Sequence, residues 1–298
     1  MNGYGSHTYQ WINAAGGKVW IKYHFHSQQG VKNITHAQAA QIASADTDYY
    51  LRDLFNAIER GDNPKWTVSV QIMPYEDAKT YHFNPFDLTK VWPHADYPLI
   101  KVGEFELNRN PENYFAQIEQ AAFEPSNLVP GIDVSPDKML LARIFSYADA
   151  HRYRIGANYN ELPVNRPKTT AHSYARDGQL RHFYGHAKAP VYAPNSFGGP
   201  VADPSRAAEG AGWQSDGELV RSAYTLRTDD DDFSQPGALV RNAFDDAQRT
   251  RLVETLVGQY NGLKHAWVRE RFLWYWNNID PGIAERVRGQ VAQPVAAK

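Results

Sequence analysis

The chain has 298 residues, 42% of them hydrophobic, with a formal net charge of −2 and no cysteine. That length supports a large core in one or two domains. The absent basic excess argues against nucleic acid as a partner, no apolar run approaches membrane-spanning length, and disulfides, thiolate ligands and redox thiols are excluded. Met1 is followed by Asn2, Gly3 and Tyr4 rather than by a charged and apolar leader, so the expected compartment is the cytoplasm.

In chain order, Ser6 to Asn13 and Lys18 to Ser27 read as strands around Ala14-Ala15-Gly16-Gly17, a hairpin turn. In the second strand Val19, Ile21, Tyr23 and Phe25 share one face, and Trp20, Lys22, His24 and His26 share the other. The histidines are expected to face solvent or a ligand, because a zinc site on His24 and His26 lacks a third ligand nearby in sequence. Residues 35 to 61 have helical spacing: Thr35 caps, Tyr50, Leu51, Leu54, Phe55 and Ile58 recur on one face, and Gly61-Asp62-Asn63-Pro64 stops the run. Trp66 to Met73 alternates as a strand, and Pro98 to Leu107 is another, with its apolar parity changing at Gly103 as a bulge requires.

Residues 108 to 234 are rich in Pro, Asn and Gly, with helices expected only over about 111–122 and 136–152. Asp229 to Asp232 reads as a solvated turn rather than a calcium loop, since no Gly and Glu complete the pattern. From Asp246 the spacing is helical again, through Leu252, Val253, Leu256 and Val257, then Trp267 to Trp276, then Ile283 to Val291.

The stretch with most chemistry is the helix over 136–152. Ser135 is the expected cap, Pro136 suits the first helical position, and Asp137 favours the N-terminal dipole. Beyond it Arg143, Tyr147, His151 and Arg154 form one stripe of ionisable groups. From spacing alone two readings stay open, an exposed polar face that contains a tyrosine, or iron ligation by Tyr147. A phenol needs a metal and nearby cations to act as a phenolate at neutral pH. Arg143, one turn earlier, is a cation that stays charged.

The run Arg143 to Arg154 resembles the proximal haem signature of the monofunctional haem catalases. Met1 to His7, Arg52 to Ile58, Asn84 to His94 and Leu107 to Pro111 resemble the same family, in order, from the first residue to about 200, and more weakly into the C-terminal helices. The resemblance implies an α+β chain: the second half of the catalase antiparallel β-barrel with inserted helices over 1–107, a wrapping loop that carries the proximal haem helix over 108–234, and a C-terminal helical domain over 235–298. It also implies haem b as cofactor, hydrogen peroxide as substrate and a homotetramer.

By resemblance Tyr147 is the iron ligand, Arg143 its hydrogen-bonding cation, and His7 and Asp137 a charge network behind Arg143. His151 and Arg154 belong to the haem side, Arg154 matching a propionate partner. The family's small-subunit branch binds NADPH, and Val91, Trp92, His94 and Gln235 match that site. His26 stands where a Lys is common, and Leu239 and Ala243 replace bulkier apolar residues; a structural role for Trp92 and His94 is an equally open reading. The family's distal His and Asn match no segment of these residues. Three functions follow as expectations: a haem catalase, an inactive remnant that binds haem or assists assembly, and a peroxide-using haem lyase on the same barrel.

Overall fold

The computed structural model describes residues 1–168, 177–181, 190, 192, 194–197 and 230–291. It divides into two compact units, Met1–Asn33 with Gln41–Leu219, and Ile34–Ala40 with Val220–Lys298.

The first unit is built on one curled antiparallel sheet, half of a barrel. Its strands are β1 (Gly3–Tyr4), β2 (Tyr9–Ile12), β3 (Lys18–Ser27), β4 (Lys65–Pro74), β5 (Ile100–Glu106) and β6 (Ile132–Asp133). The order is β5-β4-β3-β2-β6, with β1 on the remaining length of β3. The β2–β3 hairpin closes where Asn13 Oδ1 accepts from Ala15 N and Gly17 N, with Gly16 at φ 80°. The expected bulge is present: Val68 pairs with Gly103 and Ser69 with Lys101, so Val102 is the extra residue.

The face of β3 that carries Trp20 and Lys22 is interior at those two residues, and His24 and His26 farther along it are half-buried. The segment after β4 folds back over this face. Trp20, Met73 and Trp92 form a core cluster there, flanked by Tyr75, Phe86 and Tyr97. Trp20 stacks on Tyr75 with ring centroids 4.9 Å apart. A strand buried on both faces loses the alternation that a sequence reading relies on.

Helices α1 (His36–Ala45) and α2 (Tyr49–Glu59) fall inside the predicted 35–61 span. Thr35 caps α1 reciprocally, its hydroxyl accepting from Gln38 N while Gln38 Oε1 accepts from Thr35 N. The helix expected over 111–122 shrinks to a π-turn at Phe115–Glu119, closed by Gln120 N to Phe115 O. Pro111 cannot donate, and Gln117 Oε1 takes up Glu112 N and Asn113 N before a regular turn can form.

Helix α3 (Lys138–Arg154) starts two residues later than expected, and its cap is Asp137, not Ser135. Asp137 Oδ1 accepts from Met139 N and Leu140 N, whereas the Ser135 hydroxyl is drawn away to Thr8 O at 2.5 Å. A carboxylate complements the helix dipole better than a hydroxyl, and Ser135 has a buried carbonyl to satisfy.

The second unit is helical: α4 (Ser234–Ala238), a π-turn at Leu239–Ala243, α5 (Asp246–Gly262), α6 (Ala266–Ile279) and α7 (Pro281–Gln290). Val240, Val253, Leu256, Ile283 and Val287 form its core, with Phe272, Leu273 and Trp276 packed against it. Asp245 and Gln248 make a capping box at α5, and Asp280 caps α7 ahead of Pro281. Asp231 Oδ1 accepts from Phe233 N and Ser234 N, so part of the acidic run caps a turn; Asp229 lies outside the described residues. No helix among the described residues is long and apolar enough to cross a membrane.

Two glycines of this unit differ in what surrounds them. A Cβ on buried Gly237 would meet Ile279 O at 2.4 Å, whereas one on Gly258 in α5 would meet nothing within 4 Å. Gly237→Ala should therefore destabilise the protein by about 1–3 kcal/mol. Gly258→Ala should stabilise it by about 0.5–1 kcal/mol. Denaturant midpoints of the two variants check this, and equal shifts would contradict the packing of α4.

Candidate functional site

The site is assembled from three separated stretches. The first is a break between β1 and β2. Gly5 N donates to Tyr23 O at 2.9 Å, then His7 N donates back to Gly5 O at 2.7 Å, with Ser6 between them at φ 60°. An i to i+2 bond around a positive φ is the rarer, strained γ-turn. It turns His7 off the strand into the interior, where it is 3% exposed.

The second stretch is the start of α3. Asp137 is 1% exposed, and while Oδ1 caps the helix, Oδ2 lies 2.7 Å from His7 Nδ1. The third is the next turns of the same helix. Arg143 Nη1 lies 2.8 Å from His7 Nε2, and Arg143 Nη2 donates to the Tyr147 hydroxyl at 3.0 Å.

Donor accounting fixes the protons. A guanidinium can only donate, so His7 Nε2 must be the acceptor and Nδ1 must carry the hydrogen that Asp137 receives. His7 is thus held neutral with both nitrogens engaged. Among the described residues the Tyr147 oxygen is bonded only by Arg143, and the Arg143 guanidinium lies 5.0 Å from the Tyr147 ring centroid. One lone-pair direction on that half-buried phenol oxygen remains for a ligand or metal.

Farther along α3, the buried His151 bonds Phe123 O at 2.8 Å through Nε2. Arg154 donates to Glu119 O and Ala121 O at 2.6 and 2.7 Å and reaches His151 Nδ1 at 3.4 Å. The stripe read from the sequence is therefore one surface, divided between Arg143 and Tyr147 on the relay and His151 and Arg154 on the chain after the π-turn. Tyr9 of β2 lies near this charge: burial pushes its hydroxyl up, Arg143 pulls it down and Asp137 adds a smaller upward push.

Val91, Trp92 and His94 are split apart in environment. Val91 is exposed, His94 lies against His24 with ring centroids 6.0 Å apart, and the Trp92 ring is in the core with Nε1 on Pro85 O at 3.3 Å. Gln71 Nε2 donates to Trp92 O and Tyr97 O, so its Oε1 is left to accept from His24 Nε2 at 2.9 Å. Burial lowers the His24 pKa, with the Gln71 bond opposing and His94, His26 and Lys22 adding repulsion. Among the described residues no group of three or more His, Cys, Asp or Glu side chains is arranged to hold a metal ion.

Sequence reading missed Lys22. Its ammonium, 6% exposed, donates to Lys90 O at 2.9 Å and Ser6 O at 3.3 Å and stands 5.4 Å from the Trp92 ring centroid. Burial lowers its pKa to about 8, with Asp137 and Asp87 acting in the opposite direction. The available signal was its place between Trp20 and His24 on one face of the strand.

Residues 1–199 match the Catalase family profile, and residues 227–291 match the profile of the catalase-related immune-responsive domain. The chain is 49% identical over 295 residues to the bromoperoxidase-catalase of Streptomyces venezuelae, covering 98% of this chain and 60% of that protein. It is 49% identical over 288 residues to catalase A of Pseudomonas putida, covering 96% and 59%. A solved bacterial catalase structure superposes with a TM-score of 0.86 at 46% identity, over 99% of this chain and 60% of that one. The chain thus spans about 60% of the length of the relatives it matches.

The Lys22 environment has a measurable consequence. Its folded pKa of about 8 lies below the ordinary 10.5, so between those values the unfolded chain binds more protons and stability rises with pH. Below pH 8 the buried charge costs about 3 kcal/mol, a cost that fades as pH approaches 10.5. Unfolding free energies at pH 7 to 10.5 should show this rise in the wild type and not in Lys22→Met; parallel curves would refute the assignment.

Proposed function

This chain belongs to the catalase family, and from that membership we propose that it serves as a haem catalase, disproportionating hydrogen peroxide with Tyr147 as the proximal iron ligand. The observation that carries the reading is the unbroken series Asp137–His7–Arg143–Tyr147, in which a permanent cation is aimed at a phenol oxygen. A phenolate is stabilised by such a cation, and an anionic oxygen is the donor that tyrosine offers to iron.

The residues fit a haem. Tyr147 has an oxygen with one protein partner among the described residues, and Arg154 retains Nε and one Nη1 hydrogen for an anionic group beyond its bonds to two carbonyls. Bound haem b would supply the iron at which peroxide is both oxidised and reduced. Arg143 would hold charge on the ligand oxygen, His7 would keep Arg143 in place, and Asp137 would fix the His7 tautomer. His151, anchored on Phe123 O, positions Arg154. Assembly as a homotetramer belongs to the same proposal. For NADPH, the exposed Val91 and His94 are the side chains available, with Trp92 acting as the buried support beneath them.

Titration of the chain with haemin tests the reading. Tyr147→Phe should abolish the absorption bands of phenolate-ligated ferric haem, and an unchanged spectrum would remove Tyr147 from the role. Arg143→Ala should weaken haem binding roughly tenfold, equivalent to about 1.4 kcal/mol. Lys at that position should recover only part of the loss, since an ammonium lacks the planar fork that reaches both His7 and Tyr147.

Turnover also needs an acid–base group on the opposite side of the haem, which contributes roughly a hundredfold or more. The family's distal His and Asn match nothing in these residues. Supplying the N-terminal portion of the Pseudomonas putida relative in trans should raise oxygen evolution per haem by at least that factor. Full turnover by the 298-residue chain alone would refute this dependence.

A further inference from the structure

The γ-turn at Ser6 is the element on which the relay hangs, and its own bonds do not account for its persistence. Its central residue is not glycine, its φ of 60° is unfavourable for a side chain with a Cβ, and the break leaves β1 and β2 as short strands of two and four residues. What holds it from outside is Lys22. The ammonium donates to the carbonyl of Ser6 itself and, on its other side, to Lys90 O, a carbonyl of the segment that covers the sheet. Thr8, just past the turn, is tied to that same segment through its hydroxyl on Pro85 O at 2.7 Å.

Lys22 makes no ion pair among the described residues, so its charge is spent on carbonyl oxygens rather than on a carboxylate. A buried cation used in this way is an expensive core residue, and an apolar side chain would fill the space at lower cost. The bonds to Ser6 and Lys90 are what an apolar residue cannot supply.

We propose that Lys22 is a positioning residue for the relay: it clamps the Ser6 carbonyl against the covering segment and so holds His7 between Asp137 and Arg143. The proposal rests on the haem reading for its consequence, while the clamp itself can be observed without haem. Lys22 touches neither Tyr147 nor Arg143; it acts through the turn, and its charge also falls on Asp137.

The experiment is proton NMR of the full chain. A buried imidazole N–H bonded to a carboxylate at 2.7 Å resonates far downfield and exchanges slowly with water; its loss in His7→Gln assigns it. In Lys22→Met, with the fold verified by circular dichroism, this resonance should broaden or vanish. Ser6→Gly, which removes the steric objection to a positive φ, should restore it in the Lys22→Met background. With haemin, Lys22→Met should raise the dissociation constant roughly tenfold. The Lys22→Met, His7→Gln pair should bind no more weakly than His7→Gln alone, because both changes remove one device.

A sharp, unshifted His7 resonance in a folded Lys22 variant overturns the proposal, and so do additive losses in the pair. Should Lys22→Met not fold, Lys22→Leu, which likewise removes both donor and charge, replaces it. Failure of both to fold would assign Lys22 to the core and also overturn the positioning role. If instead Tyr147→Phe leaves haem binding untouched, the haem reading fails while the NMR result still decides the clamp.

Discussion

The hydrogen bond between His7 and Asp137 joins residues 130 apart in the chain, and the candidate site depends on it. One Asp137 oxygen starts α3 and the other receives the His7 proton, so the carboxylate that begins the helix also fixes its position against the sheet. Arg143 and Tyr147 lie on the next turns of that helix and inherit the alignment. The Ser135 hydroxyl on Thr8 O and the pairing of β6 with β2 tie the start of α3 to the same place on the sheet. The geometry of the phenol oxygen is thus decided at the far end of the helix.

Some of this was legible in the sequence, and the reasons are local. β3 spans Lys18–Ser27 as read, because its residues are β-formers bounded by a Gly-Gly turn; the Gly103 bulge followed from a change of parity within one strand. Arg143 and Tyr147 could be paired because four residues make one helical turn. What escaped depends on partners distant in sequence. Nothing near Ser135 announces that Thr8 O will claim its hydroxyl, so the cap was assigned two residues too early. Ser6 gives no hint of a positive φ, since serine seldom adopts one without outside support. Burial of the Trp20 and Lys22 face depends on Trp92 returning from some seventy residues downstream, which no strand periodicity records.

The two units follow different design rules. In the helical unit the caps and the Pro281 start are local and could be argued from a few consecutive residues, and the core they serve is a cluster of aliphatic side chains. The sheet unit instead buries polar groups at its centre: His7, Thr8, Gln10, Lys22, Gln71 and Asp137 are all interior. Apart from Gln10, whose amide finds no partner among the described residues, these groups are matched, and a polar interior of that kind punishes the loss of any one partner. That concentration of buried polarity at the junction of β2, β3 and α3 separates a site from a core.

The tautomer of His7 has one more consequence. Its Nε2 faces a guanidinium that does not release protons at physiological pH, and its Nδ1 hydrogen faces the carboxylate. An imidazole shuttles protons by accepting at one nitrogen and releasing at the other, and here the accepting nitrogen meets no acid able to give one up. The chain from Asp137 to Tyr147 is therefore an insulator for protons, although it is a continuous line of hydrogen bonds. It acts as a frozen row of dipoles behind the phenol, and any proton that moves at the Tyr147 oxygen must travel by a route other than this one.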